Sequence, residues 1–255
     1  MNHEDNFFIN GNYLTSELQK QMSDGRCYCF TEASSPDVAI YAVSDGMGGH
    51  NAGEVASLVC VEQIAATFPE LQRCTSVKEV VTYLQAAVES INEAVCSRSC
   101  TDNELRGMGA TLVLLAVCRN ECAVLNVGDS RAYRFNNGNL MQITKDNTEG
   151  QRMLDLGLLN RKELSEFPAR KNLNRYVGIN QSGYVLRADE YFVHAAEGCI
   201  VLCSDGISDF VSDTRMAEIL NSEKDLEIVG KQLVEEAVAS RNADNATLMI
   251  IPLRG

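Results

Sequence analysis

The sequence contains no apolar run long enough to cross a bilayer, which excludes a membrane-spanning helix. Its first residues, Met1-Asn2-His3-Glu4-Asp5, lack the basic-then-apolar pattern of a secretory signal, so a cytoplasmic protein is expected. No Pro-, Gly- or Ser-rich linker divides the 255 residues, and no internal repeat or low-complexity tract is visible. One domain over residues 1–255 is therefore expected, with enough chain to bury a large core. Basic residues are scarce: Lys+Arg 22 against Asp+Glu 35 gives a net charge of −13. That balance argues against nucleic acid and anionic membrane as partners and suits divalent cations or basic peptides. Ten cysteines are present, yet none stands in a Cys-x-x-Cys zinc knuckle; Cys96/Cys100, Cys118/Cys122 and Cys199/Cys203 are four residues apart and Cys27/Cys29 two. Several lie in apolar runs, where a reduced thiol acts as a small hydrophobe. Cys100 and Arg106 match the spacing of cysteine-dependent phosphatases, but the intervening Thr101-Asp102-Asn103-Glu104-Leu105 has two carboxylates and no glycine. Such a loop repels phosphate, and the match is read as coincidence.

What the chain has instead is a set of aspartates placed where buried strands end. Val38-Ala39-Ile40-Tyr41-Ala42-Val43 leads to Asp45-Gly46-Met47-Gly48-Gly49-His50. Cys199-Ile200-Val201-Leu202-Cys203-Ser204 delivers Asp205-Gly206, and Ala123-Val124-Leu125-Asn126-Val127 delivers Gly128-Asp129-Ser130-Arg131. Asp244-Asn245-Ala246-Thr247 opens the run Leu248-Met249-Ile250-Ile251. A single Asp-Gly is a common turn. Four carboxylates set against a core are costly unless a cation compensates, and glycines beside them let backbone carbonyls and a phosphate come close.

The remaining pattern predicts an α+β fold. Strands are expected at Glu4–Leu14 with a turn at Asn10-Gly11, at Arg26–Phe30, before Asp45, at Thr111–Val117, Cys122–Val127, Ala132–Phe135 and Leu140–Ile143. Further strands are expected at Gly183–Leu186, at Tyr191–His194, before Asp205 and at the end of the chain. Helices are expected over Ala52–Phe68, about Val77–Cys96, Glu149–Leu156 and Lys224–Ser240. Two mainly antiparallel sheets packed face to face, with helices outside each, accommodate this order as an α-β-β-α sandwich. The strand-end aspartates would then meet at one edge.

With those residues assembled, the chain resembles the bacterial form of the metal-dependent serine/threonine protein phosphatases of type 2C. The likeness runs through His3-Glu4-Asp5-Asn6-Phe7, then Asp45-Gly46-Met47-Gly48-Gly49-His50-Asn51-Ala52-Gly53-Glu54 and Gly107-Met108-Gly109-Ala110-Thr111. It continues through Val127-Gly128-Asp129-Ser130-Arg131-Ala132-Tyr133, Ser204-Asp205-Gly206-Ile207 and Asp244-Asn245-Ala246-Thr247, in the family's order. The resemblance implies hydrolysis of phosphoserine and phosphothreonine in proteins by a metal-bridging hydroxide, with two Mn²⁺ or Mg²⁺ ions. It implies Asp45 as the carboxylate bridging both ions, the Gly46 carbonyl as a ligand of one, and Glu4 reaching that ion through water. Asp205 and Asp244 would bind the other, and Asp129 with Asp205 a third, weaker ion. All-oxygen ligation suits Mn²⁺ and Mg²⁺. Two ions roughly 3.5–4 Å apart lower the pKa of a bridging water and clamp phosphate oxygens, so no side-chain nucleophile is needed.

The leaving oxygen needs a proton. Eukaryotic relatives carry a histidine where this chain has Met47; His50 is the candidate general acid, with a hydrogen bond to loop backbone as its alternative role and a metal-bound water as the alternative donor. His3 and His194 carry no specific signal. Residues 147–175 correspond to the family's flap, whose Arg152, Arg161, Lys162, Arg170 and Lys171 either select substrates or form a solvated basic loop. The phosphate-binding arginine that usually precedes the family's Asn-Glu-Asp is not among these residues, which predicts a raised KM unless something replaces it. Asp146-Asn147-Thr148 and Asn242-Ala243 are smaller departures. Phosphorylated proteins, the products of a serine/threonine kinase, are the expected partners of a monomeric enzyme. A regulatory pseudophosphatase and a phosphatase of small phosphoesters are the alternatives.

Overall fold

The computed structural model describes residues 3–22, 29–32, 36–48, 52–194, 197–223, 225–240 and 244–253. Two antiparallel sheets form its centre. The larger runs in the order β2 (Asn12–Tyr13), β1 (Asp5–Ile9), β3 (Val38–Met47), β5 (Leu112–Cys118), β6 (Glu121–Val127), β9 (Asp189–His194), with β4 (Gly109–Ala110) paired to the end of β3. The smaller runs β11 (Leu248–Leu253), β10 (Gly198–Cys203), β7 (Arg131–Asn136), β8 (Asn139–Gln142).

The near-continuous apolar runs of β3, β5 and β10 follow from burial on both faces. Side chains alternate across a strand, so Val38, Ile40 and Ala42 join one cluster with α2 (Ala52–Leu71) and α3 (Val77–Thr101). Ala39, Tyr41 and Val43 point the other way, to meet Ile200, Leu202, Met249 and Ile251 of the second sheet. On the far side of that sheet Val201 and Cys203 pack with Met216 and Ile219 of α7 (Asp213–Ser222) and with Val229 and Leu233 of α8 (Leu226–Val238). Helix, sheet, sheet, helix is the expected layering, and three apolar clusters fill its three interfaces. Burial pushes the Cys60 and Cys203 thiols up to about 12, which leaves them as inert packing groups.

Several local expectations differ from the structure. Gly183–Leu186 forms no strand: Tyr184 and Val185 are exposed, while Leu186 alone turns into the helix-side core. Of the strand expected at Arg26–Phe30, residues 26–28 lie outside the described residues, and residues 29–32 are irregular. The structure adds helices that the apolar pattern did not announce, namely α1 (Ser16–Met22), α5 (Arg161–Glu166), α6 (Asp205–Ser208) and α7. Each is short or caps itself locally: Asn160 caps α5 in a reciprocal box with Glu163, and Ser212 caps α7 by accepting from the Arg215 amide at 3.3 Å. Residues between β8 and β9 carry α4 (Glu149–Asp155) and α5 and return on themselves, Asn174 donating to the Asn147 carbonyl at 2.9 Å and Glu149 to the Asn172 carbonyl at 2.9 Å.

Candidate active site

Strand pairing brings the first two carboxylates together. β1 and β3 are antiparallel with Asp5 opposite Asp45, so both side chains leave the sheet at the same level. Thr111 holds Asp45 in place: its hydroxyl accepts from the Asp45 amide at 3.1 Å, its amide donates to the Asp45 carbonyl at 2.8 Å, and its carbonyl accepts from Ser44 Oγ at 2.8 Å. Thr111 Oγ1 also lies 2.6 Å from Ser130 Oγ, tying this point to the turn that carries Asp129. Gly128 makes that turn with φ +107°, and a Cβ there would lie 2.7 Å from the Thr111 side chain.

The second sheet is drawn in by the N-terminal strand. Ser204, fully buried at the end of β10, donates from Oγ to Asp5 Oδ2 at 2.7 Å and accepts from the Thr247 amide at 3.0 Å. The Glu4 amide donates to Asn245 Oδ1 at 2.7 Å, and Gly46 N–H donates to the Glu4 carbonyl at 3.1 Å. Close backbone approach completes the edge, because a Cβ on Gly206 would stand 1.8 Å from the Asn245 carbonyl oxygen and one on Gly53 2.7 Å from the Glu4 carboxyl carbon. Glu4, Gly46, Asp205 and the Asp244-Asn245 segment therefore meet where both sheets end.

The electrostatics are those of anions crowded in a poorly solvated place. Burial, then the charges of Asp5, Asp205 and Asp129, hold the Asp45 carboxyl well above the usual range, and Asp45 lies within hydrogen-bonding reach of both Asp5 and Asp205. Asp5 and Asp205 are raised as well, chiefly by burial. Glu4 is pushed up to about 7 by burial with Asp244, Asp5 and Glu54 nearby. Asp129 is pushed up to about 7 by burial with Asp205, Asp146 and Asp209 nearby. Asp5 Oδ1 is buried without a hydrogen-bond partner. In this arrangement the carboxyls contact one another, and among the described residues no three such groups already stand in a metal-coordinating cluster. The donor set nonetheless fits a hard divalent cation: it is all oxygen, it carries excess negative charge, and it includes an orphaned buried carboxylate oxygen.

Asp129 and Asp205 line a cleft of about 220 Å³ together with Arg131, Asp146, Lys171 and Asp209. Arg131 is locked to Asp146 by two hydrogen bonds of 2.9 and 2.7 Å. Lys171 pairs with Asp209, which joins the segment between β8 and β9 to α6 beside the carboxylates. Met47 directs its terminal methyl at Gly109, away from any proton-transfer role. His50 lies outside the described residues. Sequence reasoning did not single out Asp5, Ser204 or Thr111 as site-building residues. Asp5 carries a signal in hindsight, since it shares one face of β1 with Phe7 and Ile9 and is the lone polar residue of that face.

The pattern of a family described as Protein phosphatase 2C matches residues 26–236. The chain belongs to that family. A serine/threonine phosphatase (stp) of Listeria monocytogenes is 30% identical over 213 residues, 83% of each chain. The Mycobacterium tuberculosis serine/threonine protein phosphatase PstP is 33% identical over 211 residues, covering 83% of this chain and 40% of that one. Among solved structures, a bacterial serine phosphatase bearing an R161K mutation superposes with a TM-score of 0.82 at 25% identity, covering 100% of this chain and 93% of the other. The catalytic domain of PstP in complex with two manganese ions superposes with a TM-score of 0.71 at 30% identity over 88% of this chain and 93% of that one. This type 2C chain is accordingly a serine/threonine protein phosphatase of the bacterial kind.

Proposed function

We propose that this phosphatase hydrolyses phosphoserine and phosphothreonine in protein substrates using two divalent cations, Mn²⁺ or Mg²⁺, held at the strand-end carboxylates. Asp45 is assigned to both ions, the Gly46 carbonyl to one, Asp205 and Asp244 to the other, with Glu4 beside them. Asp129 with Asp205 is assigned to a third, weaker position. The observation that carries the reading is the crowding around Asp45, whose carboxyl is held well above its usual range by burial and then by the charges of Asp5, Asp205 and Asp129. A manganese-loaded PstP catalytic domain with the same fold supports it. Divalent cations at such a site supply a nucleophilic oxygen from water at neutral pH and neutralise charge on the phosphoryl group.

The chain's own residues do the rest. Thr111 and the β1–β3 pairing fix Asp45 so that it needs no reorganisation during turnover. Ser204 orients Asp5, whose negative charge faces Asp45 from the neighbouring strand. Arg131 is already committed to Asp146 and Lys171 to Asp209, so the substrate phosphate is assigned to the cations and to the flap's Arg170, which lines the same cleft. His50 is kept as the proposed donor of the proton to the leaving serine or threonine oxygen. The proposal includes a catalytic unit over residues 1–255 with its flap at about 147–175, working as a monomer in the cytoplasm on the products of a serine/threonine kinase. No helix among the described residues is long and apolar enough to cross a membrane.

The test pairs p-nitrophenyl phosphate with a phosphothreonine peptide, each with manganese, with EDTA and with Asp45→Asn. Manganese-dependent turnover of both substrates, lost in EDTA and in the variant, is expected. Turnover restricted to the small ester would move the substrate from proteins to small phosphoesters, and none at all would leave a regulatory scaffold.

A further inference from the structure

A second cleft, of about 610 Å³, lies across α4 from the carboxylates. Asp146, Thr148 and Gln151 line both this cleft and the one containing Asp129 and Asp205, so only the first turn of α4 separates them. The charges of the second cleft are all paired, Arg152 with Glu149 and Asp146 with Arg131 just outside its lining, and the rest within it. Lys145 Nζ pairs with Asp155 at 3.0 Å, and Arg175 pairs with Asp189, to which Asn147 Nδ2 also donates at 2.9 Å. A second phosphate or a nucleotide would find no net positive charge there. What the cleft leaves unmatched is apolar: Tyr184 is 39% exposed and Leu156 58% exposed, and both line it. Gln151 Nε2 already donates to Asp155 at 2.9 Å, which leaves its carbonyl and the Asn174 amide in the same lining to suit a peptide backbone.

Resting on the phosphatase reading above, we propose that this cleft is a substrate subsite. It receives one aromatic or long aliphatic side chain of the phosphoprotein, a short distance along the chain from the phosphorylated residue, and seats it between Tyr184 and Leu156. The occupant is the substrate polypeptide itself, because the cleft shares Asp146, Thr148 and Gln151 with the one in which the phosphate is placed, so a chain crossing the first turn of α4 reaches both. Tyr184 and Leu156 thereby set specificity and take no part in the chemistry. The position also gives the irregular 183–186 segment a use: folded as a strand, it would turn Tyr184 and Leu186 to the same side, whereas here Tyr184 lines the cleft and Leu186 enters the core.

The test uses a series of phosphothreonine peptides in which a single phenylalanine replaces alanine at successive positions around the phosphothreonine, with p-nitrophenyl phosphate as the small substrate. Unaltered enzyme should prefer phenylalanine at one or two positions. Tyr184→Ala and Leu156→Ser should each raise KM for those peptides about tenfold, the scale on which an apolar pocket discriminates. Both should erase the phenylalanine preference and leave kcat and p-nitrophenyl phosphate kinetics unchanged. Leu158→Ser removes a side chain that is 64% exposed but outside the cleft, and should change nothing. The subsite is overturned if the unaltered enzyme shows no positional preference, if both cleft variants keep it, or if they lose p-nitrophenyl phosphate turnover in parallel. An unaltered protein that turns over neither substrate with manganese overturns the metal-site reading first, and the subsite with it.

Discussion

The carboxylate edge and the cleft on the far side of α4 are neighbours built on opposite principles. At the edge, position is dictated by backbone: Asp5 opposite Asp45 in register, Gly206 against the Asn245 carbonyl, Ser204 buried with both of its hydrogen bonds made inside the protein. In the cleft, position is dictated by side chains in partial contact with water: the Lys145–Asp155 pair is exposed and the Arg175–Asp189 pair half-buried. Chemistry that must hold several anions at fixed separation needs the first arrangement. Recognition of varied protein sequences tolerates the second, because a loop-borne surface can change without disturbing the sheets.

The sharpest way to break the contrast is at its centre. Asp45→Asn should cut turnover by at least about 10³-fold, the scale of losing a preorganised electrostatic group. The variant should stay folded by circular dichroism, since removing one of several mutually repelling carboxylates relieves strain in the metal-free chain. Substantial turnover by Asp45→Asn in saturating manganese would remove Asp45 from the bridging role.

The next effect separates the two regions by pH. Burial raises Asp5, Asp45 and Asp205 and lifts Glu4 and Asp129 to about 7, so the folded chain binds these protons more tightly than the unfolded chain does. Their contribution to stability is full below the unfolded carboxylate range near about pH 4 and is lost as pH rises through about 7. Metal-free protein should therefore melt at progressively lower temperature across that window, measured against Asp129→Asn, whose decline should be shallower. Manganese should restore the difference at pH 7.5, by about 3 kcal/mol at a hundredfold excess over its Kd. Melting curves that are flat with pH in EDTA would mean the carboxylates are not electrostatically crowded.

Smaller again is the loss of one orienting bond. Ser204→Ala removes the donor to a fully buried Asp5 carboxylate that has an unpartnered oxygen already. It should cost about 2 kcal/mol in denaturant unfolding, in the range for hydrogen bonds to charged groups, and should weaken manganese binding. A cost below half that value would assign the orientation of Asp5 to strand pairing alone.

How much of this was legible beforehand follows the same division. The layers were readable because β3, β5 and β10 are apolar on both faces, which only a sheet covered twice explains. The carboxylates were readable because Asp45, Asp129 and Asp205 follow apolar runs and Asp244 precedes one. Asp5 was harder, since one acidic residue near the start of a strand gives no period, and its role depends on Ser204, 199 positions away. The flap side was least legible. α5 buries no residue and is held by a local cap, not by an apolar stripe, and Gly183–Leu186 has strand-like residues but joins neither sheet. Propensity fixes neither choice; tertiary competition does.

The smallest effect tests the claim that side-chain pairs on the flap side contribute little to stability. Lys145 and Asp155 meet at 3.0 Å, but their side chains are 63% and 48% exposed, so water screens the attraction and both chains give up rotamer freedom to make it. Lys145→Ala should change unfolding free energy by under about 0.5 kcal/mol, and that difference should shrink further as salt is raised. Turnover of p-nitrophenyl phosphate should not move, because the pair lies on the opposite side of α4 from Asp129 and Asp205. A destabilisation as large as that of Ser204→Ala would show that the flap is welded to the sheets as firmly as the carboxylate edge, and the contrast between a fixed centre and an adjustable rim would then fail for this enzyme.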